Sequence, residues 1–190
     1  MKLILPFLVS FWFSLCFAQQ QESQNLLKID SLWTKEVFEF PIHFAPELNY
    51  KGIEEAYFPK GWSKLDSPDY WSYVFVWQVE GKIQVSEQRL EHDLQVYFDG
   101  LMQVVNKDKD FEVPKSTVVF VKKSENIYKG RVRLFNAFHT QNRMVLNTLV
   151  SVFYNKNQEK TFLLFKFSPS DFDTDIWKIL NSITLKDKFM

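Results

Sequence analysis

The chain has 190 residues, with 23 basic against 23 acidic side chains. This balance, free of any block of like charge, argues against a nucleic-acid footprint and against a polybasic membrane patch. Hydrophobic residues make up 46% of the sequence and include 20 Phe, so one sizeable core is affordable without disulfides, and the single cysteine could form none internally.

Lys2 opens an apolar run from Leu3 to Phe17, and Ala18 gives way at once to Gln19-Gln20-Gln21-Glu22. A basic start, a short apolar segment and a small residue before a polar break form the pattern of a secretory signal peptide. The run is shorter than the roughly 20 apolar residues of a membrane span and contains Pro6. The expected organisation is a signal peptide over 1–18, a polar linker over 19–33 and a single domain over 34–187. The expected location is secreted or periplasmic, with no transmembrane helix in the mature chain. Cys16 offers a second reading, a lipid anchor, although Leu15 stands where a lipoprotein site wants a small residue.

Beyond the linker, Phe38, Phe40 and Ile42 recur every second residue up to Pro41 and Pro46, which predicts a short strand near an edge. Residues 53–58 predict a second strand, closed by Pro59-Lys60-Gly61. Residues 70–80 predict a third, with Trp71, Tyr73, Phe75, Trp77 and Val79 on one face and Val74 and Val76 on the other. A strand apolar on both sides at its centre is expected to be covered on both sides.

From Ser86 the period lengthens. Leu90, Leu94, Tyr97, Phe98, Leu101, Val104 and Val105 fall on one helical stripe, with Ser86 as N-cap. Gly100 costs such a helix about 1 kcal/mol, which suggests a close approach at that point. Four strands follow, over 117–123, 127–138, 144–154 and 161–167, joined by short polar connections that suit antiparallel neighbours. A closing helix is expected over 170–182. The reading is an α+β fold: an antiparallel sheet of about seven strands (three strands, helix, four-strand meander, helix) with helices packed on it. A lipocalin-like barrel is the alternative, weakened by the long internal helix.

Few residues point to chemistry. Asp171, Asp173 and Asp175 mimic the start of a calcium loop, but Ile176 and Ser182 stand where that loop needs Gly and Glu. They fit better as the acidic first turn of a helix capped by Ser170, with Asp173 in a capping box. Glu54 and Glu55 point to opposite faces of a strand and cannot share a site, which leaves either one alone as a candidate. His43, His92 and His139 lack metal-ligand spacing, so no metal or cofactor is expected. Arg131 and Arg133 share a strand face, with Arg143 across the next turn; they could clamp a carboxylate or phosphate, or simply keep the sheet soluble. Trp62 and Tyr70 flank the polar loop 63–69, where large aromatics could wall an apolar pocket or anchor the loop.

The segments Phe40-Pro41, Gly52-Ile53-Glu54-Glu55, Gly61-Trp62, Tyr70-Trp71-Ser72-Tyr73 and Tyr97-Phe98-Asp99-Gly100-Leu101 together resemble an uncharacterised family of secreted proteins from Bacteroidota-type bacteria. Separately, the element order and the closing Trp177-to-Ile183 helix are similar to the Mog1/PsbP-like α/β/α fold. Neither resemblance implies catalytic residues. The function expected is that of an exported, non-enzymatic domain binding a small apolar or amphipathic ligand or an envelope protein. A secreted hydrolase with a site assembled from scattered Ser, His and Asp residues is the alternative.

Overall fold

The computed structural model describes residues 25–108 and 110–190. The expected signal segment and Cys16 lie outside them. Seven strands form one sheet in the order β2-β3-β4-β8-β7-β6-β5, with every neighbouring pair antiparallel. They are β2 (Thr34–Glu39), β3 (Gly52–Phe58), β4 (Tyr73–Glu80), β5 (Thr117–Ser124), β6 (Ile127–Asn136), β7 (Asn142–Asn155) and β8 (Lys160–Ser168). Two meanders thus meet where β4 pairs β8, with Phe75 opposite Phe165. The sheet is open, with β2 and β5 at its edges, so the barrel alternative is set aside.

The double-sided apolar pattern of β4 has its expected cause. Tyr73, Phe75, Trp77 and Val79 join Phe165, Phe167 and the buried stripe of helix α1 (Glu87–Val105) in one core. Val74 and Val76 join Phe162, Leu164 and Ile176, Trp177 and Leu180 of helix α2 (Asp175–Ser182) in a second core behind the sheet. Alternation along a strand sends neighbours to opposite faces, and each face has its own helix.

Ser86 caps α1, its hydroxyl accepting from the Arg89 N–H at 3.2 Å. Leu90, Leu94, Tyr97, Phe98 and Met102 are buried. Val104 and Val105 are not; the last turn of the helix is open to solvent on that side. Three α1 carboxylates finish one sheet edge. Glu91 accepts from the Phe120 N–H at 2.9 Å, Glu87 from the Lys122 N–H at 3.2 Å and Asp99 from the Ser116 N–H at 2.7 Å. Edge donors held in this way are closed to another strand.

Three expectations about boundaries change. Residues 25–33, assigned to a loose linker, contain buried Leu26 and Leu27. Strand β1 (Leu27–Lys28) pairs with β9 (Thr184–Leu185), and the Leu26 N–H is taken by the Glu55 carboxylate at 2.8 Å. Residues 70–72 turn rather than extend, with Trp71 at φ +51°. The last helix starts at Asp175 with Thr174 at its N-cap, not at Ser170. The Ser170 carbonyl instead accepts from Trp177 Nε1 at 2.9 Å and Asn147 Nδ2 at 3.0 Å, which holds the preceding loop out of the helix. A single-turn 3₁₀ helix (Asp187–Phe189) closes the chain and buries Phe189.

Candidate ligand cavity

Between α1, the β2–β3 end of the sheet and the loop 59–72 lies a cavity of about 250 Å³. Its floor is made by Trp71, Tyr73, Tyr97 and Phe44, all buried. Phe38 of β2, Phe58 of β3 and Trp62 of the loop form the partly exposed wall. Leu101 and Val105 of α1 and Phe138 of the β6–β7 turn complete it, and Glu36 of β2 brings the only charge. Phe58 and Tyr73 stack at 5.4 Å between centroids, and Trp62 meets Phe58 at 4.9 Å.

Strand register explains this wall. Thr34 pairs with Phe58, Glu36 with Ala56 and Phe38 with Glu54, so all of these share the α1 face. Ala56 lies between Glu54 and Phe58 on that face, and its small side chain leaves room there. The loop contributes through one hydrogen bond: the Trp71 N–H donates to the Trp62 carbonyl at 2.8 Å. That closure sets Trp62 edge-on to Trp71 at 6.2 Å between centroids.

The structure therefore places the two expected aromatics differently. Trp62 lines the cavity. Tyr70 does not; its hydroxyl accepts from Asn136 Nδ2 at 2.6 Å and its ring lies beside His139. Arg131 and Arg133 share one face of β6, but it is the opposite face of the sheet. Arg131 Nε donates to Asn147 Oδ1 and Arg133 Nη2 to Thr117 Oγ1, each at 3.1 Å, while Arg143 pairs in register with Phe135. None of these three arginines lines the cavity.

Behind the floor stands Glu54, fully buried. Trp77 Nε1 donates to one carboxylate oxygen at 2.6 Å and the Tyr97 hydroxyl to the other at 2.8 Å. Burial pushes its pKa up to about 7, against the lowering effect of those two donors, and the Glu36 charge adds to the rise. Burial also raises the Tyr97 phenol, with Glu54 adding to it. Glu55 points the other way, as strand alternation requires, and holds Lys35 at 2.8 Å. Of the polar atoms at the floor, the buried Nε1 of Trp71 has no hydrogen-bond partner among the described residues.

Among the described residues no group of His, Cys, Asp or Glu is arranged to hold a metal ion, and no histidine ring is hydrogen-bonded to a Ser or Asp side chain. His43 and His92 are exposed on separate elements, and His139 lies in the β6–β7 turn. No described helix is long and apolar enough to cross a membrane.

Sequence reasoning located Trp62 but missed Glu36, Phe38, Phe58, Tyr97 and Phe138. The available signal was the even-numbered run Glu36, Phe38 opposite Glu54, Ala56, Phe58, which becomes a wall only once β2 and β3 are paired in register. Comparison of the chain with protein-family models, with curated proteins and with solved structures returns no match.

Proposed function

We propose that this is an exported binding domain that takes a small, largely apolar ligand into the cavity beside Trp62. The observation that carries this reading is the cavity itself. Eight of its eleven lining residues are aromatic, and half-buried Trp62 and exposed Phe138 stand at its rim. Concave, mostly apolar sites with a few polar groups are the usual form of small-molecule sites. Aromatic side chains left facing solvent around an open cavity would gain about 25 cal/mol for each Å² a ligand covers.

The test uses the neutral fluorophore N-phenyl-1-naphthylamine. It should bind with saturable enhancement of fluorescence and quench tryptophan emission. Trp62→Ala should weaken that binding tenfold or more while costing less stability than removal of a fully buried ring, because Trp62 is only half-buried. If Trp62→Ala binds the probe as wild type does, the cavity is not the site.

A further inference from the structure

The charge lining this cavity has one sign. Glu36 is its only charged lining residue, and no lining residue is basic. Glu54 lies one hydrogen bond behind the floor, through the Tyr97 hydroxyl. Glu36 and Glu54 stand on the same face of neighbouring strands, Glu36 opposite Ala56 and Glu54 opposite Phe38. The nearest lysine on β2, Lys35, faces the other side of the sheet and is engaged by Glu55.

Aromatic faces add to this sign. The π-face of an indole, phenol or phenyl ring is negative, and a cation within about 6 Å of a ring centroid is attracted to it. Phe38, Phe58, Trp62, Trp71 and Tyr97 line one small volume, together with Tyr73, whose ring is stacked with Phe58 and Phe167. Tyr97 donates its proton toward a carboxylate, which pushes electron density into its ring and strengthens that attraction. An anionic ligand would meet the Glu36 carboxylate among aromatic walls, with no basic residue in the lining. A neutral ligand would use the walls and leave Glu36 unanswered.

We propose that the ligand of this cavity is an organic cation, an apolar body carrying a substituted ammonium group held by the ring faces and the Glu36 carboxylate. This rests on the reading of the cavity as a ligand site and adds the charge class. Two imidazoles pack against lining rings: His139, 6.4 Å from both Trp62 and Phe138, and His43, 6.5 Å from Phe38 and 5.1 Å from Phe44. Binding is measured at pH 8.

Benzyltrimethylammonium and neopentylbenzene have the same shape and differ only by nitrogen for carbon. Each is titrated by nuclear magnetic resonance into wild type and into Glu36→Gln, a change at an exposed strand position that leaves the core untouched. The expected result is cation binding at least as tight as that of the hydrocarbon. Glu36→Gln should weaken only the cation, by about fivefold at low salt and less at high salt. Tighter binding of the hydrocarbon, or an equal effect of Glu36→Gln on both, overturns the cation assignment while leaving the cavity as a ligand site. Failure of both compounds to shift cavity resonances removes the ligand site and the assignment together.

Discussion

Gly100 of α1 rests against the main chain of Phe44: a Cβ at Gly100 would lie 1.8 Å from the Phe44 carbonyl oxygen. Main-chain atoms cannot swing aside as a flexible side chain can, so the helix can lie this close only where there is no side chain. The same approach brings Phe44 edge-on to Tyr97 at 5.0 Å and so completes the cavity floor. Gly100→Ala should gain about 1 kcal/mol in helix propensity yet be destabilising overall, by about 1–3 kcal/mol, through overpacking. Chemical denaturation measures it; a more stable variant would show that the contact is not tight.

Phe98 tests the packing of α1 on the sheet. It is fully buried and lies edge-on to Phe167 at 5.7 Å. Phe98→Ala is expected to cost about 3–5 kcal/mol, as for a large side chain removed from a core. A loss below about 1 kcal/mol would contradict the packing described for this helix.

Glu54 sets a pH dependence whose sign follows from its raised pKa. A carboxyl near 4.5 when unfolded and about 7 when folded favours the native state while it is protonated. Its contribution is complete below pH 4.5 and is lost as pH rises through 7, an effect on the order of 3 kcal/mol. The buried Lys166, pushed down to about 8, begins to lose its charge as the pH nears 8, in wild type and in Glu54→Gln alike, so the difference between the two profiles reports the carboxyl. Melting curves between pH 5 and 8 should show a falling midpoint in wild type and a flatter profile in Glu54→Gln. Parallel profiles would mean that Glu54 is ionised throughout.

The β5 edge is protected by helix carboxylates rather than by its own residues. Replacing Glu87 and Glu91 together by Ala frees the Phe120 and Lys122 N–H groups and leaves the exposed Val119 and Val121 on an unpaired edge. The double variant should self-associate at concentrations where wild type is monodisperse in sedimentation. Unchanged sedimentation would show that the two carboxylates do not guard this edge.

The export reading has its own measurement. N-terminal sequencing of protein recovered from outside the cytoplasm should begin at or near Gln19. An acylated Cys16 at the start would favour the lipid-anchor alternative.

Local periodicity in the sequence determined the element order, the seven-strand sheet, the extent and cap of α1, and the need for a cover on both faces of β4. Those features depend on which side of a strand or helix is apolar, and that is written residue by residue at periods of 2 and 3.6. It also singled out Trp62, because a large aromatic beside a polar loop stands out locally. Tertiary structure decided what depends on a distant partner. Glu55 takes the Leu26 N–H from 29 residues away, which turns an apparent linker into part of the core. Asn147 and Trp177 hold the Ser170 carbonyl, which moves the start of α2 to Asp175. Trp71 rather than Tyr70 joins Trp62 because one main-chain hydrogen bond closes the loop at that residue. Glu54 is buried beneath the cavity because its partners come from the neighbouring strand and from α1, at Trp77 and Tyr97. A hydrogen bond across the fold has no period, and the residues that make it carry no mark of their pairing until the chain has closed.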